Sequence, residues 1–277
     1  MAQAAAAGIN PKVVVWDGAY GNQTFAKWDP YLVPVPACDF GPTNPWCNYD
    51  RVRSDLTAKG FSENQVQAIW LKDANSVPHC SLNRVYCAQG YVGDPDAFIA
   101  ERYLGDIVRA LHARYPHLQQ VFISSRIYGG YANAINSCLN PEPFAFEYGI
   151  TVQRLILAQI YQASHNGAGN GDPYPGSINY VNYGPPGIPP TASWIDWGPY
   201  LWANGNNPRG DNQLIWCNDP KGIGPPPCKG HAHFRYGDDT HIGDLTHPST
   251  EGEQVVGGLL LTFMQQNRLT TTSWFWP

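Results

Sequence analysis

Apolar residues recur along the chain with two different periods. "PKVVVWDGAYGN" (11–22) is a β-branched apolar run that ends in glycine, which predicts a buried strand at Val13–Trp16 followed by a tight loop. "QVQAIWLKDAN" (65–75) is a second run of this kind, ending at Asn75. In "DAFIAERYLGDIVRALHARYP" (96–116) the spacing of Phe98, Leu104, Ile107, Val108 and Leu111 predicts an amphipathic helix that Pro116 stops. "LQQVFISSRIYGG" (118–130) then predicts a third strand and turn, and "EYGITVQRLILAQIYQAS" (147–164) a second helix. "TASWIDWGPYLWANG" (191–205) holds a fourth predicted strand, and "TEGEQVVGGLLLTFMQQN" (250–267) closes the pattern as a helix. Alternation of this kind predicts an α/β fold with a parallel sheet and helices on both faces.

Between these elements lie Pro/Gly/Asn-rich loops at 31–50, 76–93, 165–192 and 204–241. Loops of that length in a compact domain are usually binding rims or lids. No repeat, charge run or linker marks a second domain, so one domain over 1–277 is expected.

Composition narrows the function classes. Charged residues are only 14% of the chain, against roughly 25% in an average domain. A net charge of -5 argues against nucleic acid or an anionic membrane as the main partner. No apolar run approaches the roughly 18 residues of a membrane span.

Cys38/Cys47, Cys80/Cys87 and Cys217/Cys228 are three close pairs in loop-rich stretches, the spacing of local disulfide clips. Zinc is the rival reading, but no CxxC occurs. Cys138 is left over, either free and buried or paired between chains, and the oligomeric state stays open. Disulfides imply a secreted or extracytoplasmic protein. "MAQAAAAGINPK" lacks the basic start and apolar core of a signal peptide, so the true N-terminus is expected to lie upstream.

Candidate chemistry centres on "GDLTHPSTEG" (243–252), where Asp244 precedes His247 by three residues. A histidine can take a proton from a hydroxyl nucleophile while a carboxylate fixes its tautomer. The bland alternative is a polar helix start capped by Thr246, Ser249 or Thr250. "HAHFRYGDDTHIGD" (231–244) gathers His231, His233, Asp238, Asp239 and His241, either a zinc or calcium site or a polar loop; the polar loop is preferred and no metal or other cofactor is required. Trp194, Trp197, Tyr200 and Trp202 could stack on sugar faces or simply fill core.

Taken in order, the Gly loop "DGAYGNQT", the "WLKDAN" stretch and the D-x-x-H-P near the C-terminus resemble the SGNH (GDSL-like) hydrolase superfamily. "SSRIYGGYA", "PEPFAFEYG" and "WGPYLWANG" resemble segments of an exported bacterial branch of it, and the resemblance runs from Lys12 onward. It implies a three-layer α/β/α sandwich with a short parallel sheet, flavodoxin-like, carrying long disulfide-clipped loops. It also implies an esterase acting on a small-molecule or glycan ester. His247 would be the base, Asp244 its partner, and Gly21 and Asn75 the oxyanion donors, with Asp73 or Lys72 as alternatives to Asn75. Arg126 and Trp202 are candidate substrate contacts, although Arg126 could equally pair with Glu142 or Glu147.

The departure is the nucleophile. The family's serine lies directly after the first strand, ahead of the Gly block, and no serine occurs before Ser54 here. That first strand would be central, so its loss is expected to interrupt the sheet unless another strand fills the gap. Ser124 and Ser125 are internal candidates, and Ser249 lies too close to His247 along the chain to face it. The alternative function is a non-catalytic carbohydrate- or partner-binding protein on the same fold.

Overall fold

Three short apolar runs find one another in a parallel sheet. In the computed structural model, which describes residues 7–132, 141–165, 167, 171–180, 189–217, 232–233, 245–267 and 275, β1 (Ala68–Leu71), β2 (Gln120–Ile123) and β3 (Trp194–Trp197) pair in the order β1-β2-β3. Both ladders are parallel, with Ala68 opposite Gln120 and Gln120 opposite Trp194. Five helices accompany them among the described residues: α1 (Phe25–Trp28), α2 (Cys47–Ala58), α3 (Asp96–Arg114), α4 (Phe144–Ser164) and α5 (Thr250–Gln266). The protein is therefore mixed α/β with a short three-stranded parallel sheet. None of these helices is long and apolar enough to cross a membrane.

Contacts divide the chain into two compact units. One comprises Tyr20–Arg126 and Pro143–Tyr200 and holds the sheet; the other comprises Met1–Ala19, Ile127–Glu142 and Leu201–Pro277. In the sheet unit, α3 and α4 pack together and α4 lies against β3. Their buried faces, including Leu104, Ile107, Val108, Leu111, Val152, Leu155 and Ile156, close over Val121, Ile123 and Ile195. These are the positions that the helical and strand periods of the sequence select. Helix α3 ends at Arg114, because the residue before a proline is pushed out of helical geometry.

Buried polar groups hold the elements in place. Gln159, 1% exposed, donates to the carbonyls of Ile178 and Ser193 and accepts from the Ile195 amide. The Ile195 amide on the free edge of β3 is thereby satisfied by a helix side chain, and the Trp197 amide by Asp196. Asp96, in the first turn of α3, accepts the amides of His79 and Cys80. Glu147 accepts the Leu82 amide with both oxygens. These carboxylates tie down the loop closed by the Cys80–Cys87 disulfide; Cys38–Cys47 closes the second clip. Cys217 is also disulfide-bonded, while Cys228 and Cys138 lie outside the described residues.

In the second unit, β4 (Trp216–Cys217) and β5 (Ala232–His233) form a parallel pair, with α5 against β5. Fully buried Trp216 donates to the Leu201 carbonyl, and its own carbonyl accepts the Tyr131 hydroxyl.

Two expectations are not met. Val13–Trp16 is not a strand: Val14 and Val15 are exposed, and the Val13 amide donates to the Asn10 carbonyl in a local turn. An extended run without a neighbour to complete its ladder has no reason to stay extended. The β1 edge that such a neighbour would extend is paired only to β2 among the described residues, and all four β1 residues keep some exposure. Helix α2, in turn, begins inside the stretch expected as the 31–50 loop, because Tyr49, Val52 and Leu56 follow helical spacing and are buried.

Glu101 of α3 has no side-chain exposure and pairs with Arg154, which also binds Asp172. Burial outweighs that pairing and pushes the Glu101 carboxyl up to about 7. A carboxyl raised in the folded state keeps its proton after the unfolded chain has lost it, so stability falls as pH rises from about 4.5 to about 7. Urea unfolding of Glu101→Gln should show a flatter pH dependence over that window than the parent; identical profiles would contradict the assignment.

Candidate functional site

Parallel strands deliver their following residues to one edge of a sheet, where the crevice outside the carboxyl ends is the usual ligand position. Here that edge carries Lys72–Asn75 after β1, Ser124–Arg126 after β2 and Gly198–Tyr200 after β3. The Ser124 amide donates to the Leu71 carbonyl and the Gly198 amide to the Ile123 carbonyl, continuing both ladders by one step.

Ser124 is structural. Its hydroxyl accepts from the Trp70 indole at 2.8 Å and donates to the Pro199 carbonyl at 2.7 Å, and the residue is buried. A hydroxyl proton committed to a carbonyl is not available to a base. Gly198 is required beside it, since a side chain there would strike the Ser124 oxygen and the Trp70 indole nitrogen. Ser125 is fully buried.

Asn75 is buried, and its backbone amide donates to the Tyr148 hydroxyl at 3.2 Å. Its backbone amide is therefore committed, and the oxyanion role expected of Asn75 concerns its side-chain amide. The preceding residue is bonded to the residue just after the Gly block: the Phe25 amide donates to the Ala74 carbonyl at 3.2 Å. Gly21 itself is exposed, with open space where a side chain would stand, and Asn22 after it adopts a left-handed φ of 60°. The fold thus joins the segments carrying the two blocks through Phe25 and Ala74.

Lys72 and Asp73 enter the sequence reading only as stand-ins for Asn75, and the structure gives them more. Both are half-buried at the end of β1, and both feel Arg126 at the end of β2. Burial and the like charge of Arg126 push the Lys72 amine down to about 7, against the pull of Asp73. Burial pushes the Asp73 carboxyl up to about 8, only partly offset by the Ala74 amide, Lys72 and Arg126. One Asp73 oxygen accepts the Ala74 amide, and the other is buried without a hydrogen bond. The signal is present in the sequence: two adjacent charges directly after a four-residue apolar strand. Burial and a cross-strand cation give it chemical meaning.

The remaining candidates belong to the other unit. His247 is exposed, Thr246 before it is buried, and Leu245 takes a left-handed φ of 54°, a costly conformation for a leucine that often marks a functional segment. Ser249, not Thr246 or Thr250, caps α5: its hydroxyl accepts the Gly252 amide at 3.3 Å. The capping reading therefore accounts for Ser249 and leaves His247 outside it. Half-buried Trp202 donates its indole N–H to Glu142 at 2.8 Å, and the same carboxylate oxygen accepts the Gly129 amide. Asp244 and the His231–His241 cluster, apart from the backbone of His233, lie outside the described residues. Among the described residues no group of three or more His, Cys, Asp or Glu could hold a metal.

Comparison with family models, with curated proteins and with solved structures finds no match for this chain.

The structural role of Ser124 is directly testable. Ser124→Ala leaves the Trp70 N–H and the Pro199 carbonyl without their partner, which should cost about 1–3 kcal/mol in chemical denaturation. A variant of unchanged stability that loses fluorophosphonate labelling would instead make Ser124 a nucleophile.

Proposed function

We propose that this chain carries the acid–base and oxyanion parts of an SGNH-type serine esterase that hydrolyses carboxylic esters, with glycan esters as the expected class. The fold inferred for it is the three-layer α/β/α sandwich, working in an extracytoplasmic compartment where the loop disulfides persist. The observation that carries the reading is the Phe25–Ala74 hydrogen bond, which ties the residue following the Gly block to the Asn block beside the carboxyl end of β1. A buried Asn75 and the strained backbone just before His247 support it.

In this mechanism His247 removes the serine proton as the hydroxyl attacks the ester carbonyl, and Asp244 holds the imidazole tautomer. The Gly21 amide and the Asn75 side chain donate to the oxyanion, and loss of one such donor costs roughly 3 kcal/mol of barrier. The protonated histidine then returns its proton to the leaving alkoxide. Arg126 and Trp202 contact the substrate. With no serine before Ser54, residues 1–277 by themselves hydrolyse esters poorly.

p-Nitrophenyl acetate turnover and fluorophosphonate labelling test this. They should be measured on the chain alone and on the chain with a serine-bearing segment joined ahead of residue 1. Turnover should rise well above background only with that segment, and His247→Ala should abolish it. No gain, with glycan binding that survives His247→Ala, would favour a non-catalytic binding protein.

A further inference from the structure

We propose that the carboxyl ends of β1 and β2 form an anion subsite in which Lys72 and Arg126 together hold a carboxylate group of the ligand. The subsite makes the substrate class of the esterase reading acidic, and it rests on that reading only for the word substrate. Binding itself requires neither His247 nor a serine.

The contrast among the cations of the sheet unit points to this site. Arg109 pairs with Asp106, Arg114 with Asp50 and Glu63, Arg154 with Glu101 and Asp172, and Lys27 with Asp39. Lys72 is half-buried yet makes no hydrogen bond or ion pair with any described residue. A partly desolvated ammonium opposed only by a carboxyl that burial disfavours is unfavourable, and a ligand anion would stabilise it. Arg126, on the neighbouring strand end, adds a second positive charge that repels Lys72. The opposing group is Asp73, whose own charge burial disfavours.

Arg126 brings a planar fork suited to a carboxylate, and Lys72 brings a point charge. The position is the crevice outside parallel strand ends, where ligands of open α/β sheets gather. Without a ligand the ammonium is disfavoured; an anion within about 4–6 Å would favour it and raise the Lys72 titration midpoint by about one pH unit or more.

The test is an NMR titration of the chain labelled at its six lysines, with Lys72 identified by Lys72→Met. Midpoints are read at constant ionic strength in chloride, in sodium acetate and in inorganic phosphate. Acetate should raise the Lys72 midpoint saturably, leave the other lysines in place, and do so more strongly than phosphate. The shift should persist in Arg126→Lys and vanish in Arg126→Gln. No shift of Lys72, or an equal shift of all lysines, would overturn the site; a larger effect of phosphate would overturn the carboxylate assignment. The wild-type titration decides these points even if a variant at Arg126 fails to fold. A positive titration in a chain that never gains esterase activity would retain the subsite and remove the hydrolase reading.

Discussion

Parallel pairing of β2 with both neighbours is the constraint on which the sheet unit depends. Its residues Val121, Phe122 and Ile123 are buried, so every backbone amide and carbonyl between Gln120 and Ile123 must find a partner in β1 or β3. The register that satisfies them also sets where each strand stops. Lys72, Ser124 and Gly198 therefore emerge side by side, and Ser124 bonded to Trp70 and Pro199 locks the first step beyond the ladder.

The two edges of this small sheet are treated differently. On the β3 side a buried glutamine of α4 accepts the Ile195 amide, and a second, Gln162, holds the chain around Gly176 and Ile178. On the β1 side the strand is wholly apolar, yet each residue keeps some exposure. Charge gathers beyond the end of that strand. Ion pairs elsewhere in the unit are closed within the protein, as in Arg154 between Glu101 and Asp172. At the strand end Lys72 and Asp73 are instead shifted toward their neutral forms, which is the electrostatic character expected where a ligand completes the set.

Much of this arrangement is legible in the sequence because the helices and strands follow hydrophobic period. The spacing of Leu104, Ile107, Val108 and Leu111 marks the buried face of α3, and the runs around Ile69, Val121 and Ile195 mark the three strands. Val13–Trp16 has the same local signature and forms no strand, since pairing is decided by a neighbour that local sequence does not contain. Helix α2 is obscured by its polar residues, although three buried positions carry its period. At the site, residue type leads to Asn75 and Arg126. Lys72 and Asp73 gain their significance from burial and from a cation on the adjacent strand, neither of which can be read from spacing. The role of Ser124 likewise depends on two partners 54 and 75 residues away.

The functional reading stands or falls on the Gly block and the Asn block meeting beside the carboxyl end of β1. Amide hydrogen exchange measures that juncture most directly, through the Phe25 amide that follows the Gly block and is bonded to Ala74. It should exchange on the slow timescale of the β2 amides in the sheet core. Exchange at the rate of the exposed turn around Gly21 would contradict the joined site.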